Sequence, residues 1–253
     1  MPGFTGFRAL ALLLAVGIAP ALLAADGGIV TAPPSSPAFI VMGFVGGFVR
    51  RDNPHHGPVK LAQRIQQEAP KEAHIEVFEN RHRKSAYRMI LHLLDANHDG
   101  KLSREEKAAA RIILFGQSWG GSAAVLLARE LERADIPVML TVQVDSVAKL
   151  WQNDQVIPDN VAAAANFYQP HGIIHGTKEI RAADHSKTRI LGNYLFDYRQ
   201  TPAQCDSYPW FDRTFTPGHM QSECDPRLWS QVEGLILERI NPESRSLAVN
   251  PGR

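Results

Sequence analysis

Surplus charge, cysteine and long apolar runs are all scarce in this 253-residue chain. Lys and Arg total 27 against 26 Asp and Glu, a formal charge of +1. There is no overall basic field to capture nucleic acid, so no nucleic-acid partner is expected. Only two cysteines occur, Cys205 and Cys224, and an even pair at this spacing in an oxidising compartment is expected to form a disulfide. The apolar run Ala9 to Ile18, extended by Ala and Leu residues to Ala25, is too short to cross a bilayer comfortably. With Arg8 ahead of it and Ala21, Ala24 and Ala25 near its end, it reads as a signal peptide over residues 1–25. The remaining chain is then expected to be secreted or periplasmic, with no stable membrane anchor.

Residues 26–37 are rich in Gly, Pro and Ser and read as a flexible lead-in. Residues 38–253 are expected to form one domain. Ala38–Val45 is an apolar run stopped by Gly46 and Gly47, a buried strand meeting a turn. Val59–Glu68 has helical spacing, His74–Phe78 reads as a strand, and Ser85–Leu94 and Ser103–Ala110 as helices. Strand Ile112–Phe115, helix Ser122–Arg133 and strand Val138–Val144 follow. This alternation predicts a mainly parallel sheet with helices on both faces. Val161–Tyr168 and Arg189–Tyr198 read as strands or apolar turns, and Trp229–Ile240 as a closing amphipathic helix. No internal repeat is present.

The segment with most chemistry in it is Arg111–Arg129. The strand residues Ile112, Ile113, Leu114 and Phe115 run into GQSWG and then into the helical SAAVLLARE. A G-x-S-x-G string between a strand and a helix is the context of a nucleophile elbow. Gly116 and Gly120 leave room where strand and helix crowd together, and the turn lifts the Ser118 oxygen above the sheet. The helix N-terminus beyond offers N–H groups to an oxyanion, Trp119 N–H among them.

On these residues the chain resembles the α/β-hydrolase superfamily, particularly its compact esterase, lipase and cutinase-like members. The resemblance covers roughly Ala38–Ile240 and is specific at the elbow. It implies a three-layer α/β/α sandwich with a minimal five- to six-stranded sheet and no large lid domain. It also implies a triad in the chain order Ser, Asp or Glu, His. Asp145, directly after the strand VMLTVQV, stands where the acid projects in such hydrolases, with Asp184 one strand later as the alternative. Of His171, His175, His185 and His219, the last lies in the loop PGHMQSECDP before the final helix, where the superfamily's histidine is found. The second oxyanion donor is expected from the loop after the first strand, GFVGGF, at Phe44 or Val45, although the usual HGGG string is absent. A Cys205–Cys224 bridge would enclose His219.

One further motif stands apart. DANHDGKLSREE places Asp95, Asn97, Asp99, the Lys101 carbonyl, Ser103 and Glu106 at the ligand positions of an EF-hand loop, with Gly100 at its sharp turn. It predicts a structural calcium ion over residues 95–106, and no organic cofactor is expected. The function expected from all this is cleavage of a small-molecule or lipid-like ester by a monomeric enzyme through an acyl-enzyme. Thioester or amide cleavage by the same residues, or a noncatalytic binding domain, are the alternatives. Trp119, Phe44, Phe48, Trp210 and Phe211 are candidates for an acyl pocket.

Overall fold

A strand with no polar face needs apolar cover on both sides, and β1 (Phe39–Val45) has it. Phe39, Val41 and Val45 enter one core while Ile40, Met42 and Phe44 enter another. The computed structural model describes residues 36–206 and 216–241, all within one compact unit, Pro33–Arg253. The signal-peptide segment, most of the lead-in, Trp210 and Phe211 lie outside the described residues.

After β1 come α1 (Gly57–Glu68), β2 (Ala73–Glu79), α2 (Arg83–Leu94), α3 (Arg104–Ala108) and β3 (Ile112–Gln117). Then follow α4 (Trp119–Glu132), β4 (Leu140–Val144), β5 (Val156–Ile157), β6 (Ala163–Tyr168), β7 (Arg181–Ala182) and β8 (Arg189–Leu195). The described chain closes with α5 (Pro217–Cys224) and α6 (Pro226–Ile240). Six strands pair in the order β2-β1-β3-β4-β6-β8, every neighbour parallel. The upper bound of the sequence expectation, six strands, is what forms.

The helices cover both faces. Val59, Leu61 and Ile65 of α1 join Leu228, Trp229, Val232 and Ile236 of α6 over one face. Ala86 and Ile90 of α2 join Ala124, Leu127 and Leu131 of α4 over the other. This is the three-layer α/β/α sandwich, and no large lid domain is inserted among the described residues. β5 and β7 form a separate two-residue parallel ladder that the sequence pattern did not reveal.

The structure corrects the sequence at the element that carries His219. PGHMQSECDP is not a loop: Pro217–Cys224 is helical. Pro217 at the first helical position explains this, since its fixed φ suits a helix start and its missing N–H costs nothing there.

Candidate active site

Parallel pairing of β3 with β4 sets the site's spacing. Gln117 is opposite Val144, so the next residues, Ser118 and Asp145, leave the sheet side by side at the carboxyl ends of adjacent strands. Their backbones are tied in turn: Ser118 N–H donates to Val144 O at 3.0 Å and Asp145 N–H to Phe167 O at 2.7 Å. Both residues have left-handed backbones, Ser118 at φ 56 and Asp145 at φ 41. Such conformations cost about 1–3 kcal/mol each and persist only where the surroundings over-determine them.

At the elbow the crowding is between backbones. A Cβ on Gly116 would lie 2.3 Å from Gly120 O, and one on Gly120 would lie 2.2 Å from Phe44 O. Only hydrogen fits at either position, which lets α4 begin directly after Ser118. Trp119 is the first residue of α4, so its N–H is one of those with no intrahelical acceptor. The positive end of the helix dipole therefore lies beside the Ser118 oxygen.

His219 reaches this point from the first turn of α5. Its Nε2 is 2.9 Å from Ser118 Oγ and its Nδ1 is 2.7 Å from Asp145 Oδ2. A carboxylate only accepts, so the ring proton sits on Nδ1 and Nε2 accepts from the serine hydroxyl. Asp145 is fully buried. Its Oδ1 accepts from Gly176 N–H at 2.6 Å and Gln169 N–H at 3.4 Å, and its Oδ2 also accepts from Gln169 Nε2 at 3.1 Å. These donors fix the carboxylate's orientation toward the ring.

The other candidates lie elsewhere. Asp184 accepts from Ser186 N–H and Oγ at 2.8 and 2.7 Å, and those bonds hold its exposed carboxyl below the usual range. His171 pairs with Asp197 at 3.0 Å. Phe44 and Val45 are fully buried and paired within β1. The residues beside Ser118 are instead Gly46 and Gly47, which line the cavity at its side chain. β1 runs to Val45, so Phe44 and Val45 lie inside the ladder, paired with Phe78 and Glu79. Phe44 packs on Phe78 as ordinary core.

That cavity is about 390 Å³. Val49, Trp119, Val147, Ile174 and Met220 give it apolar walls, and His56 and Glu223 a polar one. His56 Nδ1 lies 2.8 Å from Glu223 Oε1, which also accepts from Gly57 N–H at 2.9 Å. The Lys149 ammonium lies 4.7 Å over the Trp119 indole ring, and Phe48 makes a T-shaped contact with the same indole, ring centroids 5.6 Å apart. Burial pushes the Lys149 ammonium below its ordinary pKa. Sequence reasoning missed Gln117, whose amide nitrogen is 3.3 Å from His219 Nε2, and the whole set of donors to Asp145. Gln117 was readable from its place inside G-x-S-x-G; Gln169 and Gly176 carry no local signal.

Cys205 and Cys224 form a disulfide with Cα atoms 5.7 Å apart. Cys224 ends the helix that carries His219, so the bridge anchors that helix to the segment ahead of it.

In the EF-hand-like loop, Gly100 at φ 79 makes the sharp turn, and Asp95 Oδ1 and Oδ2 accept from Asp99 and Gly100 N–H at 3.2 and 2.9 Å. The sharp turn expected at Gly100 is present. The carboxylates, however, are turned to N–H groups. Asp99 Oδ1 accepts from Lys101 N–H at 2.8 Å, and Glu106 accepts from Ser103 and Ala96 N–H at 2.8 and 2.9 Å. Ser103 Oγ in return accepts from Glu106 N–H, a capping box for α3. The Ser103 N–H bond holds the Glu106 carboxyl below its usual pKa. Among the described residues no three His, Cys, Asp or Glu side chains converge as a metal-holding group.

No family model matches the chain, and no curated protein matches it. Solved structures similar to it include RedJ with a PEG molecule bound in the active site, at 9% identity over 80% of this chain and 91% of that one, TM-score 0.42. A cutinase-like protein from Cryptococcus sp. is similar at 12% identity over 83% and 98%, TM-score 0.40. Dienelactone hydrolase from Anabaena variabilis ATCC 29413 is similar at 14% identity over 81% and 86%, TM-score 0.37.

Proposed function

We propose that this chain is a serine hydrolase that cleaves carboxylic esters through an acyl-enzyme intermediate. The observation that supports it is the line of two hydrogen bonds from Ser118 Oγ through His219 to the buried Asp145. Ser118 Oγ attacks the ester carbonyl while its proton passes to His219 Nε2. Asp145, accepting from Nδ1, holds the tautomer and stabilises the imidazolium that forms. The negative oxygen of the tetrahedral intermediate meets Trp119 N–H and an amide of the Gly46–Gly47 turn. His219 then returns its proton to the leaving alcohol, which departs and leaves Ser118 acylated. A water, deprotonated by the same nitrogen, releases the acid and restores the hydroxyl.

The noncatalytic alternative turns on whether a histidine ring reaches Ser118, and 2.9 Å supports catalysis instead. The apolar walls of the cavity favour an uncharged acyl group beside Ser118. The disulfide fits an oxidising compartment, and we place the protein outside the cytoplasm on that ground and on its N-terminal sequence. No helix among the described residues is long and apolar enough to cross a membrane.

The test is fluorophosphonate labelling with p-nitrophenyl ester, thioester and anilide turnover, in wild type, Ser118→Ala and His219→Ala. Labelling and ester turnover that vanish in both variants support the proposal. A folded wild type that neither labels nor turns over any of the three overturns it.

A further inference from the structure

The acid of the triad sits on a strained backbone, and its strongest donor, Gly176 N–H, comes from a loop that is remote in sequence. Something must hold these two segments in register, and one buried side chain touches both. Asp154 is 1% exposed. Its Oδ2 accepts from Ser146 Oγ at 2.5 Å and its Oδ1 from Thr177 Oγ1 at 3.0 Å. Ser146 directly follows Asp145, and Thr177 directly follows Gly176. The backbones of the same two residues are joined as well, Thr177 N–H donating to Ser146 O at 2.8 Å.

The segment carrying Asp154 is itself fastened to the helix that begins at the nucleophile. Arg129 of α4 donates through Nη1 to Asn153 O and through Nη2 to Val156 O at 2.6 Å, on either side of Asp154. Ser122 Oγ of the same helix donates to Gln152 at 3.3 Å, and Gln143 Nε2 of β4 donates to Asp154 O at 3.0 Å. The Asp154 carboxylate accepts from two hydroxyls, and the nearby Arg129 guanidinium attracts its charge without pairing with it directly among the described residues. A carboxylate buried on two hydroxyls, with a cation near it but not bonded to it, is a poor stability device, because its desolvation offsets most of what those contacts contribute. An apolar residue would serve packing better.

We propose that Asp154 is a positioning residue for the triad: by gripping Ser146 and Thr177 it keeps Gly176 N–H on the Asp145 carboxylate and so keeps that carboxylate aimed at His219. This rests on the serine-hydrolase reading. Asp154 touches neither substrate nor the reacting atoms, so its effect must travel through Asp145.

The experiment is a double-mutant cycle of Asp154→Asn with Asp145→Asn, read by kcat and KM on a soluble ester. It is paired with the His219 Nδ1 proton resonance in nitrogen-labelled Ser118→Ala protein. Asn is isosteric and keeps an acceptor for Thr177, but it sets an NH2 donor where the carboxylate oxygen accepted from Ser146, so the Ser146 contact holds only if that hydroxyl turns to accept. Ser146→Ala with Thr177→Val is the second route to the same loss. Asp154→Asn is expected to lower kcat about tenfold to a hundredfold, the scale of a small misplacement near the reacting groups, with KM unchanged. It is expected to shift the Nδ1 resonance, and to cost nothing further in the Asp145→Asn background. Losses that multiply in the double variant, or an unmoved resonance with unchanged kcat, overturn the proposal. If wild type has no hydrolase activity, the resonance still decides whether Asp154 governs the Asp145–His219 bond, separately from the reading of the reaction.

Discussion

Adding one methyl group at Gly120 tests whether the elbow works as a backbone-to-backbone contact. The new Cβ would stand 2.2 Å from Phe44 O, 2.7 Å from its carbonyl carbon and 3.1 Å from its Cβ. Ordinary contact begins near 3.4 Å, so α4 and β1 must part by about 1 Å, there being no flexible side chain to give way. Overpacking of this kind costs about 1–3 kcal/mol. In a domain of this size that is a fall in melting temperature of about 2–4 °C per kcal/mol. The effect on activity is expected to exceed the effect on stability. Ser118 immediately precedes α4 and Trp119 N–H is its first amide, so the proposed nucleophile and oxyanion donor move with the helix. A displacement of about 1 Å is worth on the order of 100-fold in rate. The assay is a melting curve beside kcat/KM and the fluorophosphonate labelling rate for Gly120→Ala, with Gly234→Ala in α6 as control. No atom lies within 4 Å of a Cβ at that control position. A Gly120→Ala protein with wild-type melting and wild-type labelling would refute the crowding argument outright.

Three other outcomes follow from the same geometry. Asp145→Asn should lower kcat by about 10⁴, because an amide offers His219 the wrong partner and permits the wrong tautomer, whereas Asp184→Asn should leave kcat within twofold; equal losses would return the choice of acid to the open. Reduction of Cys205–Cys224 releases a loop worth about 3 kcal/mol in the chain-entropy model, and because Cys224 ends the helix bearing His219, ester turnover should fall at temperatures where circular dichroism shows the sheet intact; unchanged turnover after verified reduction would contradict this. We propose that the 95–106 loop takes a structural calcium ion at millimolar concentration, Asp99 and Glu106 exchanging their N–H partners for it; chelation should then lower the melting temperature by several degrees in wild type and not in Glu106→Gln, and a melting curve indifferent to calcium would reject the ion and leave the loop to its capping box.

What could be read from the sequence divides by range. The elbow was legible because its causes are contiguous: an apolar strand, two glycines, a serine and a helix all fall within Ile112–Glu132, and each constrains its neighbour. Asp145 was legible for a similar reason, being the first polar residue after a buried strand adjacent to β3. His219 was proposed from its place in the chain and its ring does reach Ser118, yet its helix was not foreseen, although Pro217 at the helix start was a usable signal. What stayed hidden is held by pairs far apart. The two-residue ladder of β5 and β7 has no periodicity to detect, and Gln169 and Gly176 reach Asp145 across 24 and 31 positions. Asp154 would pass in sequence for an ordinary polar loop residue, since only the fold brings Ser146 and Thr177 to its two oxygens. The residues of the proposed triad are announced locally, while those proposed to aim them are not. A reading that stops at the triad therefore omits the contacts on which the strained Asp145 backbone depends.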